Sequence, residues 1–210
     1  MKLLPAAAAL AMFATAPAFA SSPFLVDFEK NWDYNNGDVN AYYAGGTAAD
    51  GTTGANLGVS FVNVSGLSND SAFTYYTNAP SPLGTAYAHT FAPGDTAFMN
   101  VSAGVDNALL FHYSSSTAVS GAIKAYSGLN GTGSLLGTFN VAGNSGDYST
   151  WTSATFAFTG TARSFDLTAS ANGVAFDNIS AVPEPETFAM LLSGLGLMGF
   201  MARRRKQQAS

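Results

Sequence analysis

IKAYSGLNGTGSLLGTFNV, residues 123–141, is the stretch that decides the fold. Ile123 to Ser127 reads as a strand, Leu129-Asn130-Gly131-Thr132-Gly133 as a turn, and Leu135 to Val141 as the returning strand. Asn-Gly enters left-handed backbone at little cost, which a tight hairpin requires. Outward from this hairpin the period-two pattern continues. Phe24 to Glu29 sets Phe24, Val26 and Phe28 on one face, and Leu57 to Val64 alternates through Leu57, Val59 and Phe61. Ala72 to Tyr76, Ala86 to Phe91, Thr96 to Val101 and Ala108 to Tyr113 are further expected strands, followed by Ser153 to Thr159, Ser164 to Ala169 and Val174 to Ser180. Pro80 and Pro82 stop the run before them, because proline donates nothing to a ladder. No 11-residue stretch between 21 and 182 sustains a helical period. About ten short strands joined by tight turns predict an all-β, antiparallel, jelly-roll-like sandwich.

Both ends of the chain read differently. Residues 1–20 have Lys2 at the start, an apolar run from Leu3 to Phe13 and the small-x-small site Ala18-Phe19-Ala20, the pattern of a cleaved secretory signal peptide. At the other end, Pro183-Glu184-Pro185 precedes an uncharged apolar run, 187–202, and a basic block of Arg203, Arg204, Arg205 and Lys206. As a helix, the 16-residue run is about 24 Å long against a hydrocarbon core of ~30 Å, short for a permanent anchor. The basic block belongs on the cytoplasmic side. The expected organisation is a signal peptide at 1–20, one exported domain at 21–182 and a C-terminal segment at 183–210.

The order of that last segment resembles the PEP-CTERM sorting signal. The resemblance implies that an exosortase, in the inner membrane of a Gram-negative bacterium, cleaves near Pro183–Pro185. It also implies that the upstream domain goes to the cell surface or extracellular matrix after transient membrane anchoring, in a setting of exopolysaccharide and biofilm. The opening VDFE, the YYAGGT and LGVSF segments and the closing GTARSFDLTASANGVAFDNI resemble globular domains found upstream of this signal, and the ends resemble carbohydrate-binding jelly rolls.

Composition narrows the chemistry of the exported domain. It holds three basic residues, Lys30, Lys124 and Arg163, against eleven acidic ones, a net charge of −8. Phosphate binding needs a basic footprint, so nucleic acid is excluded as a partner, whereas cations and neutral sugars are compatible. Cysteine is absent, which rules out thiolate chemistry and disulfides. His89 and His112, the only histidines, read as solvent-facing strand residues, and no G-x-S-x-G, H-E-x-x-H or P-loop motif is present. No catalytic residue is assigned, and the expected protein is non-enzymatic.

Two binding expectations remain. First and last strands of a jelly roll often lie side by side, which would gather Asp27 and Glu29 near Asp177 and Asn178. The resemblance to carbohydrate-binding jelly rolls implies a structural calcium ion there, bound by Asp27, Glu29 and Asp177. The loop stretch Asp33 to Asp38 is no EF-hand, because its twelfth position is Ala44. Trp32, Tyr34, Tyr42 and Tyr43 lie in a polar loop region and are the expected stacking residues for a glycan, and Tyr75-Tyr76, before Asn78, could join them at one rim. Trp151 is expected in the core. The sequence thus points to an exported surface or matrix protein that binds exopolysaccharide. A secreted glycan-active hydrolase and a self-associating structural protein stay open as alternatives.

Overall fold

In a computed structural model of the protein, the described residues are 23–181, with Gly194, Leu195 and Met198. The expected signal peptide lies outside them, as does the expected span at 187–202 apart from those three helical residues. Among the described residues no helix is long and apolar enough to cross a membrane.

The strands are β1 (Leu25–Val26), β2 (Val59–Val62), β3 (Val64–Leu67), β4 (Thr85–Ala88), β5 (Phe98–Ser115), β6 (Val119–Tyr126), β7 (Leu135–Val141), β8 (Thr152–Asp166) and β9 (Val174–Ala181). All pair antiparallel in the order β3-β4-β9-β5-β8-β6-β7, with β1 added beside β9 and β2 beside β5. The deciding hairpin forms as read. Ile123 faces Phe139 and Tyr126 faces Leu135, and Asn130 and Gly131 take φ of 53° and 70° in the turn. Its tip is pinned to the sheet, because Asn130 N–H donates to Asn100 Oδ1 and Gly131 N–H to Ser164 Oγ, at 2.8 and 2.9 Å.

Two pairs of expected strands prove to be single long strands. Thr96–Val101 and Ala108–Tyr113 merge into β5, and Ser153–Thr159 and Ser164–Ala169 into β8, which gives way to a short 3-10 helix at Thr168–Ser170. Both bend in the middle. The β5–β8 register shifts between Asn100 and Val105 and again between Asp106 and Ala108. Gly104 in β5 and Gly160 in β8 have φ of +85° and +93°, which a side chain resists. The bend brings distant rings of one strand together: Phe156 and Phe165 are nine residues apart, yet their centroids are 6.4 Å apart. A straight strand would separate them by about 30 Å. The sheet is thereby folded back over one core, in which Phe28, Phe111, Phe156, Phe165 and Phe176 are almost wholly buried.

Other expected strands are interrupted by left-handed backbone. Leu57–Val64 splits because Asn63 has φ of 51°, and β1 stops two residues before Phe28, at φ of 53°. Phe24, Val26 and Phe28 are nonetheless all buried, as the alternation requires. Ala72–Tyr76 is a loop, because the side chains of Asn69 and Asp70 take up its backbone N–H groups.

Gly104→Ala should destabilise the domain by about 1–3 kcal/mol, since its Cβ would combine positive φ with a contact of 2.4 Å to Thr161 Cγ2. Gly146→Ala, which meets nothing within 4 Å, should stay within ~0.5 kcal/mol. Urea unfolding of both variants checks this.

Candidate functional site

A groove of about 590 Å³ lies over the β3-β4-β9 part of the sheet. Leu67, Thr85, Tyr87, Val174 and Ala175 line its base, and the loops carrying Tyr34, Phe73–Tyr76, Phe91, Gly146–Tyr148 and Asn172–Gly173 form its walls. Seven of the lining residues are aromatic, one is a carboxylate and none is basic.

The local chemistry fixes these aromatics before any ligand arrives. Asp70 Oδ1 accepts the N–H groups of Ala72 and Phe73, both at 2.7 Å, and Asn69 Oδ1 accepts that of Tyr75 at 2.7 Å. This turn presents Phe73, 60% exposed, and lays Tyr75 against Tyr34, whose ring is 5.4 Å away and nearly parallel at 11°. Phe91, also in the wall, is 79% exposed and stacks on His89, with centroids 4.6 Å apart. His89 is in turn held by Asp38 Oδ1 at 2.9 Å from Nε2. In the base, the buried Thr85 hydroxyl has no hydrogen-bond partner in the protein. At the rim, hydrogen bonds from Ser149 and Ser145 hold the Asp147 carboxyl below its ordinary value, so it is charged at neutral pH.

Of the four expected stacking residues in the 32–43 loop, only Tyr34 lies in this groove, together with Tyr75 and Tyr76. Trp32 is in the core: its ring packs flat on Gly66, where a Cβ would sit 2.1 Å from it, and its Nε1–H donates to Phe28 O at 2.8 Å. Lys30, paired with Asp50, lies 4.2 Å above the same ring. Tyr43 is buried edge-on to Phe28, and Tyr42 is half-buried against Trp32. Apolar neighbours claimed these rings despite the polar sequence around them. Phe73, Tyr87, Phe91 and Tyr148 were not singled out by the sequence. Their signal is weak: Phe73 and Phe91 stand beside the turn formers Asp70 and Pro93-Gly94-Asp95. Trp151 is half-buried, edge-on to Tyr76 with its Nε1–H on Thr77 O.

The histidines also differ from expectation. His89 is buried and paired, and His112 is half-buried with an unpartnered buried Nδ1. His112 faces Asp177 across β5 and β9.

Asp177 is fully buried, and Asp27 and Glu29 approach it because β1 pairs β9. The three carboxylates accept backbone N–H groups. Ser81 N–H and Asn178 N–H donate to Asp177 at 2.8 and 2.7 Å, Leu83 N–H to Glu29 Oε1 at 2.7 Å, and Glu29 N–H to Asp27 Oδ1 at 3.2 Å. Among the described residues no three acidic or histidine side chains are gathered to hold a metal ion. As placed, Asp177 and Glu29 staple the 81–84 loop through Ser81 and Leu83. Burial raises the Asp177 carboxyl from 3.8 to about 7, helped by the charges of Glu29 and Asp27 and opposed by the two N–H bonds. The same burial, with Asp177 and Glu29 nearby, pushes Tyr76 up to about 12.

The sheet leads directly into the tail. Ala181, the last residue of β9, is buried and faces Leu109 of β5. The family model of the PEP-CTERM protein-sorting motif matches residues 181–206. The chain carries this motif. The PEP-CTERM motif implies an exosortase as processing partner, with export and membrane-associated sorting toward the surface. No curated protein matches the chain. Among solved structures, it is similar to the K1 cleaved adhesin domain of Lys-gingipain from Porphyromonas gingivalis W83, at 12% identity and TM-score 0.45, over 78% of this chain and 99% of that one. It is also similar to a glycoside hydrolase family 43 arabinoxylan arabinofuranohydrolase from Bacillus subtilis in complex with cellotetraose, at 17% identity and TM-score 0.35, over 51% of this chain and 23% of that one. At these values neither likeness bears on ligand or activity.

Asp177 makes stability pH-dependent. Its folded carboxyl keeps a proton that the unfolded chain has released, so its contribution is complete below 3.8 and is lost as pH rises through about 7. Urea midpoints should therefore fall from pH 5 to pH 8, with a slope of up to ~1.4 kcal/mol per pH unit from this group. Asp177→Asn should flatten that slope.

Proposed function

We propose that this PEP-CTERM protein is an exported, non-enzymatic surface protein that holds a neutral exopolysaccharide in the aromatic groove. In this reading the signal peptide 1–20 starts export and is removed after Ala20. The domain 21–182 folds as a jelly-roll-like sandwich. The 187–202 helix then holds the chain in the membrane, with Arg203–Arg205 inside, until exosortase acts near Pro183–Pro185.

One observation carries the binding role: Tyr34, Phe73 and Phe91 are exposed, and the half-buried Tyr75 stacks on Tyr34, on turns held by hydrogen bonds. Exposed apolar clusters of this kind mark binding surfaces. Sugar rings present polarised C–H groups that suit the negative faces of aromatic rings, and rigid aromatics lose little entropy on binding. Neutrality follows from charge. None of the domain's three basic residues lines the groove, Lys30 pairing with Asp50, Arg163 bonding Ser102 O and Lys124 lying on β6, while Asp147 is the groove's one carboxylate. A glycosidase needs two carboxyl groups flanking the bond, so the same lining supports binding over hydrolysis. Self-association is a second reading, favoured by β7, which ends the sheet with Leu135 54% exposed.

Tyr75→Ala should weaken binding to the producing organism's exopolysaccharide at least tenfold, about 1.4 kcal/mol, with no reducing sugar released by either protein. Trp32→Phe should leave affinity unchanged and lower only stability. Binding that survives Tyr75→Ala and Phe91→Ala together would remove the groove from the account. Reducing-end release would favour the hydrolase, and glycan-independent assembly in sedimentation would favour the structural protein. The melting temperature should not change between calcium and EDTA. A rise with calcium that Asp177→Ala abolishes would restore the ion.

A further inference from the structure

We infer that the groove recognises an acetamido sugar, whose ring carries an N-acetyl group in place of a hydroxyl. This rests on the reading that the groove binds a neutral glycan, and it names the class of sugar. At about 590 Å³ the groove falls within the usual range of small-ligand pockets, roughly 300–1,000 Å³, so it can seat a sugar unit with its substituent. Its polar chemistry is one-sided. Four side-chain donors of the lining are already engaged by the protein. The Tyr75, Tyr76 and Tyr148 hydroxyls donate to Asp70 Oδ2, Pro82 O and Gly173 O, each at 3.3 Å, and Asn172 Nδ2 donates to Thr90 O at 3.0 Å. A hydroxyl that has donated its hydrogen can only accept. Asp147 adds a pure acceptor: Ser145 Oγ, Ser149 Oγ and Ser149 N–H all donate to its Oδ1, which leaves Oδ2 for a ligand. The lining is therefore weighted toward ring faces and acceptors.

A plain hexose matches this lining poorly. Each of its hydroxyls both donates and accepts, and a hydroxyl desolvated among acceptors leaves its own oxygen unpaired. An acetamido group matches it better. Its N–H is a donor for Asp147 Oδ2 or for a tyrosine oxygen. Its methyl is an apolar group for the faces of Phe73 and Phe91, which are 60% and 79% exposed. Its carbonyl oxygen stays hydrated at the open side of the groove. Both rings stand on braced turns, Phe73 N–H donating to Asp70 Oδ1 and Phe91 N–H to Asp95 Oδ2, at 2.7 and 2.9 Å, so the apolar surface is in place before the sugar arrives. The Asp147 carboxylate repels a carboxylated sugar. It attracts a free amino sugar, but that sugar brings no methyl to the rings.

The test uses the full chain in a detergent without a sugar headgroup, titrated with β-1,4-linked hexamers of N-acetylglucosamine, glucose and glucosamine. These share one backbone and differ at one substituent. The producing organism's exopolysaccharide is titrated alongside. The N-acetylglucosamine hexamer should bind at least tenfold more tightly than either of the others. Tyr75→Ala with Phe91→Ala should remove that preference. A ratio below tenfold against the glucose hexamer would overturn the inference and leave the glycan reading intact. So would a glucosamine hexamer that binds as tightly, since charge would then be what the groove reads. Preference that survives the double variant would place acetamido recognition outside the groove and overturn the inference. Exopolysaccharide binding with no binding of the N-acetylglucosamine hexamer would overturn it too, again leaving the glycan reading. No binding of any of the four ligands would defeat the glycan reading and this inference with it.

Discussion

The rings of Phe156 and Phe165, in contact across the bend of one strand, are the constraint on which the rest of the structure depends. Without the turn at Gly160, and the matching one at Gly104 in β5, the sheet would open and its apolar face would have nothing to cover it. Bending is what a chain without disulfides needs. It builds one aromatic core from strands that each reach both halves of the fold, and burial of that core is the dominant stabilising term. The hairpin tip, bonded through Asn130 and Gly131 to β5 and β8, closes the outer end of the same arrangement.

β9 sits between β4 and β5 in this folded sheet and links three features. Its Phe176 enters the core, its Asp177 collects the 81–84 loop, and its first residues line the groove. Asp177 illustrates a conflict settled by packing. Two backbone N–H donors favour its charged form, but burial and two neighbouring acids favour the neutral one, and burial is the larger effect. The loop that Asp177 fastens leads from the turn bearing Phe73 and Tyr75 into β4, so the acidic end of the sheet and the aromatic groove share a support.

The groove is assembled differently from the core. Its wall rings come from the loops after Trp32, after Ser68 and after His89, and from the segment before Trp151, while Tyr87 of β4 lies in the base. Short side-chain bonds to Asp70, Asn69 and Asp95 hold several of them in place. Those bonds are local and polar, so the walls persist without burying the rings. Asp38 reaches one wall through His89, which supports the face of Phe91. Under the proposed binding role, such a surface would take up a flat, uncharged partner with little further ordering.

Sequence by itself determined what depends on near neighbours. The Asn130-Gly131 turn, the alternation that buries Phe24, Val26 and Phe28, the β7 boundaries and the PEP-arginine order at the C-terminus all follow from residues a few positions apart. Asn130 was legible as a left-handed turn former, but not the split that Asn63 makes between β2 and β3. Tertiary structure alone decided which aromatics are buried. Trp32 and Tyr34 stand two residues apart in the same polar loop, yet one packs on Gly66 of β3 and the other on Tyr75. It alone also joined the separate strand signals into β5 and β8 and put Asp177 beside Ser81, 96 residues away. The physical reason is that burial is a sum over partners remote in the chain, and no local pattern encodes which remote surface will arrive.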